Sequence, residues 1–242
     1  MSLAHEIADW IRKVVREAGA KGVVIGLSGG IDSSVAAALA ARALPGNVLG
    51  AILPCESDPQ DAEDARLVAS SLRIETTEID LTAGYRALRE VLPEGPKLAA
   101  ANIKPRLRMI ALYYLAACRG YLVCGSGNRS ELAVGYFTKH GDNGVDLLPL
   151  GGLLKTQVRK LARHLGLPQR IIDKPPSAGL WPGQTDEDEM GLSYQQLDVA
   201  LLALDHNDPT SVPAPLLDRI HRMMRRAAHK TTPIPIFRPR RR

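Results

Sequence analysis

The chain of 242 residues contains only three cysteines, Cys55, Cys118 and Cys124. An odd number cannot all pair internally, and no two stand in a Cys-x-x-Cys spacing, so a disulfide scaffold is excluded and metal ligation by thiolates is not expected. Reduced, mostly buried thiols in a cytoplasmic protein are expected instead. No apolar run approaches the about 20 residues that a membrane-spanning helix needs, so no membrane partner is expected. The opening residues, Met1-Ser2-Leu3-Ala4-His5-Glu6, lack a basic region followed by an apolar stretch, and no secretory signal is expected. Internal repeats and a Pro/Ser-rich linker are also missing. We therefore expect one domain over residues 1–242, with an extended, basic, proline-rich tail at about 231–242. The net charge is +5, but Arg238, Arg240, Arg241 and Arg242 supply four of those charges within the last five residues. The remainder is close to neutral, so the charge does not indicate a nucleic-acid face and no nucleic-acid partner is expected.

Apolar and β-branched runs alternate with helical spacing along most of the chain. Leu3, Ile7, Trp10, Ile11, Val14 and Val15 recur as one face of an amphipathic helix. Buried strands are expected at 23–25, 48–54 and 121–125, and a strand nearer an edge at 74–79, where apolar and polar residues alternate. Helices are expected at 58–72, 81–92, 103–119 with Asn102 as its N-cap, and 155–165. Leu216, Leu217, Ile220, Met223, Met224 and Ala227 form the core-facing stripe of a last helix, with the methionines packing. Such alternation implies an α/β fold: a doubly wound, mostly parallel sheet with helices on both faces. Ligands of such sheets bind beyond the carboxyl ends of the strands, where Ser28, Pro54 and Ser126 should meet.

The stretch Gly26-Leu27-Ser28-Gly29-Gly30-Ile31-Asp32-Ser33-Ser34 follows the first buried run and precedes an alanine-rich one. That context reads as strand, tight turn and helix N-terminus. Adjacent glycines let the backbone approach a ligand, and the helix start offers free N–H groups and a positive dipole end. Asp32 is suited to a magnesium ion bridging to phosphate oxygens, with helix N-capping as its structural alternative. No Gly-Lys-Ser/Thr follows the glycines, which excludes a Walker loop. The stretch resembles the Ser-Gly-Gly-x-Asp-Ser loop of N-type ATP pyrophosphatases, which cleave ATP between its α- and β-phosphates.

Other polar residues have structural explanations on spacing alone. Arg106 and Arg108 read as solvated surface. Asn128 and Glu131 are spaced as a capping box, and metal binding by Glu131 stays equally open. The acidic cluster Asp186-Glu187-Asp188 complements a helix dipole. Residues 174–184 hold too much Pro and Gly for regular structure, and a loop of that length is a lid, a binding loop or disordered.

From the phosphate loop onward the chain resembles the NAD synthetase family, of the ammonia-using bacterial type. Gly127-Asn128-Arg129-Ser130-Glu131 followed by Gly135-Tyr136-Phe137-Thr138-Lys139-His140-Gly141-Asp142 is similar to its second signature. Lys174-Pro175-Pro176-Ser177-Ala178-Gly179-Leu180-Trp181 with Gln184-Thr185-Asp186-Glu187 is similar to its third, and His229-Lys230 to its last. The resemblance implies that Gly26, Leu27, Ser28, Gly29, Gly30, Ile31, Asp32 and Ser33 hold ATP phosphates, joined by Ser126, Lys155 and Ser177. It implies magnesium on Asp32 and Glu131, with Asp32 and Lys155 catalytic. It further implies that Arg106, Lys139, Asp146, His229 and Lys230 contact deamido-NAD. Ser126 and Ser177 stand where some relatives carry threonine, and both keep the hydroxyl. The implied reaction is amidation of deamido-NAD through an acyl-adenylate, giving NAD, AMP and pyrophosphate. The implied assembly is a homodimer whose dinucleotide site borrows from the neighbouring subunit. The chain has no room for a glutaminase domain, so free ammonia, or ammonia from a separate glutaminase, is the expected nitrogen source. A tRNA-thiolating enzyme would need differently spaced cysteines, and a non-catalytic nucleotide-binding module would not need Asp32 together with Glu131.

Overall fold

A computed structural model describes residues 2–181 and 183–238. Pro182 of the Pro/Gly-rich loop and residues 239–242 of the expected tail lie outside the described residues. In chain order the elements are α1 (Leu3–Glu17), β1 (Val23–Gly26), α2 (Ile31–Ala43), β2 (Val48–Ile52), α3 (Pro59–Leu72), β3 (Glu75–Glu78), α4 (Thr82–Val91), α5 (Lys97–Ala101) and α6 (Ile103–Arg119). They continue with β4 (Leu122–Cys124), α7 (Arg129–Val134), α8 (Lys155–His164), α9 (Gln169–Asp173), α10 (Asp186–Met190), α11 (Tyr194–Asp205) and α12 (Ala214–Thr231).

The four strands form one parallel sheet in the order β3-β2-β1-β4. β1 and β2 are apolar because both their faces are covered, whereas β3, Glu-Thr-Thr-Glu, is largely exposed at the edge, as its alternation predicts. On one face, Val23, Ile25, Val48 and Ile52 pack against α1, α2, α3 and α8. On the other, Val24, Leu49, Ala51 and Val123 pack against α6. A third cluster, including Val134, Leu197, Leu201, Leu217 and Ile220, joins α7, α11 and α12 beyond the sheet.

Two expectations are corrected here. The buried stripe of α1 is Ala4, Ala8, Ile11 and Val15, while Leu3 and Trp10 are exposed. Alanines let α1 lie close against the alanine-rich α2, which pushes the bulky residues to the flank. Asn102 holds the N-cap position of α6 without capping it. It sits in helical conformation between α5 and α6 and makes no capping bond; its Oδ1 accepts the Thr138 hydroxyl at 2.7 Å instead. The chain arrives already helical from α5, so the extended cap geometry is not available. The segment 125–149, weak in helical signal, does contain the short α7, started by the Asn128–Glu131 capping box.

The strand order reverses between β1 and β4, since β1 continues outward through β2 while β4 follows from a crossover on the opposite face. That reversal opens a crevice at the strand ends. Ser28, Pro54 and Ser126 all line it.

Candidate active site

The crevice encloses about 660 Å³. Its floor is the turn from β1 into α2. Gly29 adopts φ of 72°, and a Cβ there would come within 2.5 Å of the Asp61 carbonyl oxygen, so α3 packs where only glycine fits. Gly30, not Asp32, is the N-cap of α2. Ser33 Oγ donates to Gly30 O at 3.0 Å and accepts from Ser28 N at 3.3 Å, while Gly30 N donates to Ser28 Oγ at 3.3 Å. The two hydroxyls thus hold the loop's shape from inside. Ile31 is buried in the core and, like Gly29, supports the loop from behind.

Asp32, freed from capping, points across the crevice. One oxygen accepts Asn128 Nδ2 at 3.0 Å and the other meets Lys155 Nζ. Lys155 also reaches Glu131 Oε1 at 3.3 Å, and its ammonium stands 4.7 Å from the centre of the Tyr194 ring. Lys155 is only 2% exposed. Burial opposes its charge, but Asp32 and Glu131 outweigh burial and hold its pKa above the ordinary lysine value. Burial pushes Glu131 up to about 7, despite Lys155 beside it. The capping reading of Glu131 holds: Oε2 accepts Asn128 N in the capping box at 3.2 Å, while Oε1 accepts the Tyr194 hydroxyl at 3.2 Å.

This cluster is braced from behind. Asp198 of α11 accepts Thr156 N at 2.8 Å at the start of α8, and also the Ser130 hydroxyl. Lys155 N donates to that same hydroxyl at 2.9 Å. α7 and α8, which carry Glu131 and Lys155, are therefore locked to one buried carboxylate. Tyr194 bridges Glu131 and Asp186 with its hydroxyl, at 3.2 and 2.8 Å. Sequence patterning did not reveal Asp198 or Tyr194, because nothing local distinguishes them from ordinary residues of an amphipathic helix.

A basic wall closes another side. Arg106 donates to Lys139 O at 3.2 Å, Lys139 to His229 O at 2.7 Å, and Lys230 to Gly135 O and Phe137 O at 2.7 and 2.8 Å. All four residues line the crevice. Burial lowers the Lys230 pKa. Arg106 is exposed as expected of surface, but Arg108 is not: half-buried, it donates to Leu53 O and Ser57 Oγ at 3.0 Å each, tying the end of β2 to the next loop. Asp146 lies outside the crevice lining. It is exposed and accepts Val123 N at 2.8 Å and Tyr113 OH at 3.0 Å.

The Pro/Gly-rich loop lines the crevice from Lys174 to Leu180 and again at Gln184. Its first residue, Lys174, donates to Asp61 and Asp64 of α3 at 2.8 and 2.6 Å. Buried Lys104 holds Leu180 O at 3.1 Å, and Lys97 lies over the Trp181 ring. Ser177 and Ser126 both face the crevice. Thr185 caps α10, so the acidic cluster does begin a helix. Asp186, however, is 4% exposed and lines the crevice, because α10 packs its first turn inward against Tyr194.

Known proteins match this arrangement along nearly its whole length. Residues 3–234 match the NAD synthase family. An NH(3)-dependent NAD(+) synthetase of Carboxydothermus hydrogenoformans is 51% identical over 231 residues, 93% of either chain. A solved NMN synthetase from Francisella tularensis superposes with a TM-score of 0.89 at 40% identity, covering 97% of this chain and 96% of that one. An NH3-dependent NAD synthetase from Campylobacter jejuni, solved with nitrate ion, superposes at 0.86 and 30% identity, covering 98% and 100%. Sequence and fold agree from the first helix to the last, and the chain belongs to the NAD synthase family.

Proposed function

We propose that the chain amidates deamido-NAD with ammonia by way of an acyl-adenylate. As a member of its family it is a ligase that forms a C–N bond in ammonia-dependent NAD synthesis and uses ATP. A carboxylate resists ammonia because its leaving group would be oxide. In the reading supported here, the nicotinate carboxylate attacks the α-phosphorus of ATP and pyrophosphate leaves. Ammonia then attacks the acyl carbon, the bond to AMP breaks, and NAD and AMP are released.

One observation carries this reading: the phosphate loop and the basic wall share a single crevice. The N–H groups at the start of α2 and the hydroxyls of Ser28, Ser33, Ser126 and Ser177 are suited to the triphosphate. Lys155 is suited to the charge that builds on departing pyrophosphate. Arg106, Lys139, His229 and Lys230 supply donors for the dinucleotide. The donor set fits magnesium: Asp32 and Glu131, from separate elements, already share one cation, and magnesium is usually held by one or two carboxylates together with phosphate oxygens. Asp32 and Glu131 would hold it, and it would supply neutralising charge to the phosphates. The segments 138–146 and 174–187 would keep water from the acyl-adenylate.

A homodimer is part of the proposal. Ile110, Tyr113 and Tyr114 of α6 leave an exposed apolar face on that helix. Asp146 stands beside Tyr113 on that side and outside its own crevice, so a second copy could receive it. No helix among the described residues is long and apolar enough to cross a membrane, and free thiols fit a cytoplasmic setting.

The test is product identity. AMP release with turnover should require ATP, deamido-NAD and ammonium together, with pyrophosphate as the other product of ATP; ADP and orthophosphate would overturn the proposal. Activity of the pure protein with glutamine alone would contradict the ammonia assignment. A second acceptor, the nicotinate mononucleotide, is favoured by the likeness to the Francisella NMN synthetase. Side-by-side kcat/KM values for the two acids decide between them.

A further inference from the structure

The last helix, α12, carries Arg219, Arg222, Arg225, Arg226 and Lys230 against a single acid, Asp218. Arg219, Arg222 and Arg226 follow one another at spacings of three and four residues, so they share one face of the helix. Like charges at those spacings destabilise a helix, and a bound anion offsets them. That face borders a second cavity, of about 340 Å³, whose wall is completed by Glu189, Met190 and Met223. None of the three arginines lines the active crevice. We propose that this cavity is a second binding site, separate from the crevice, for an anion built on a chain of linked phosphates.

The fold supplies these arginines with no counter-charge. Arg66, Arg119, Arg129 and Arg170 each meet a carboxylate elsewhere in the chain. Among the described residues, Arg219, Arg222 and Arg226 pair with none. The one acid in the cavity wall, Glu189, is engaged by other donors: its Oε2 accepts the Tyr136 hydroxyl at 2.5 Å and Gln184 Nε2 at 2.7 Å. Tyr136 and Gln184 both line the active crevice, so that acid is drawn away from the arginine row. Arg219 is seated by the backbone. Its Nη2 donates to Met190 O at the end of α10, where Gly191, at φ of 62° and without a Cβ, leaves room for the guanidinium. Its other N–H groups, and those of Arg222 and Arg226, have no protein acceptor among the described residues.

The chemistry of the row selects the ligand. Guanidinium groups keep their charge at any working pH and grip phosphate oxygens two at a time. Three positive charges against one negative exclude a cation. From Arg219 to Arg226 the helix rises about 10 Å, so the row offers donors to several phosphates in line, more than a single ion can engage. Met190 is buried and Met223 half-buried, and their thioethers give one side of the cavity an adaptable apolar wall. A nucleoside carried on the chain would rest there. The shared chemistry is therefore the phosphate chain, free or attached to a nucleoside.

The experiment titrates inorganic tripolyphosphate calorimetrically into the wild type and into the double variant Arg222→Gln, Arg226→Gln. The crevice is the same in both proteins, so the difference between the two isotherms reports the cavity alone. We expect a saturable component of the wild-type isotherm to weaken roughly tenfold or more in the variant. Both side chains are exposed, so the variant should fold, and its rate of NAD synthesis without tripolyphosphate should stay within about twofold of the wild type. Identical isotherms overturn the site. Wild-type crystals soaked with tripolyphosphate should show density against Arg222 and Arg226, and density confined to the crevice overturns it as well. GTP in place of tripolyphosphate distinguishes the sources: an equal arginine-dependent component assigns the site to the free chain, and a tighter one to a nucleotide. A single-stranded RNA whose binding is lost in the variant while that of tripolyphosphate is unchanged would overturn the compact ligand. No step of amidation enters these measurements, so the site and the proposed reaction can fail independently.

Discussion

Lys155 keeps its charge at the bottom of the crevice because two carboxylates face it, and each of the three depends on the other two. Removing Asp32 takes away both a partner of Lys155 and the proposed hold on magnesium. Asp32→Ala should lower kcat on the order of 100- to 1000-fold, the usual cost of one electrostatic contributor at a reacting phosphate. A variant near wild-type rate in magnesium would refute the assignment. Lys155→Met leaves two carboxylates facing each other without a cation. Breaking a buried ion pair from one side costs about 3–5 kcal/mol. For a chain of this size that is a fall in melting temperature of roughly 10 °C, and an unchanged melting curve would show that the pairing is not stabilising. These residues differ in how visible they were beforehand. Asp32 stands in a contiguous turn whose purpose is written in six neighbouring residues. Asp198 and Tyr194 work only because α11 packs against α7 and α8, and no local pattern encodes that. The helix-start reading of Asp186 holds, but an acid with a sufficient local explanation gave no sign of its inward direction.

At the level of elements, the Pro/Gly-rich loop is fastened mainly through its first residue. Asp64 is buried, which raises a carboxyl pKa, but its hydrogen bonds from Lys174 and Arg170 outweigh burial and hold it below the ordinary value of 3.8. The unfolded chain therefore binds the Asp64 proton first as pH falls. The contribution to stability is present above the ordinary value and is lost as pH drops through the lower, folded one. Melting temperature measured through that acidic window should fall more steeply for the wild type than for Asp64→Asn; parallel curves would remove the fastening role. The segments 138–146 and 174–187 should gain hydrogen-exchange protection when both ATP and deamido-NAD are bound, and no added protection would count against their role in excluding water. Element positions were largely readable from periodicity, with β3 even placed at its edge. The face of α1 was readable in part: Ile7, Ile11, Val14 and Val15 do pack on the core, but Ala4 and Ala8, which meet the alanine-rich α2, carry too little apolar signal to stand out, and Leu3 and Trp10 are exposed.

For the whole molecule, the exposed side of α6 is where the proposed dimer would form. Ile110 and Tyr114 are 59% and 69% exposed on α6, four and eight residues along the helix from Arg106, which lines the crevice. Sedimentation should give a dimer, and Ile110→Lys with Tyr114→Lys should give monomers with weakened deamido-NAD binding. Monomers that bind deamido-NAD as the wild type does would show that each crevice is complete alone. The layered sheet and its ligand edge followed from the alternation of elements. The assembly did not, since a single chain's pattern cannot say which apolar surface meets another copy.

The reversal of strand order between β1 and β4 has a consequence for how such an enzyme can change. Both strand tips are fixed by ladder hydrogen bonds to a buried sheet, so the proposed place of arrival for nucleotide phosphates is set by the least adaptable part of the molecule. The opposite wall is made of helix ends and loops, which tolerate exchange. A lineage built on this frame is free to try new acids against an unchanging source of activation, and directed evolution of acceptor preference should concentrate its changes in residues 135–146 and 229–230 while leaving 26–34 untouched.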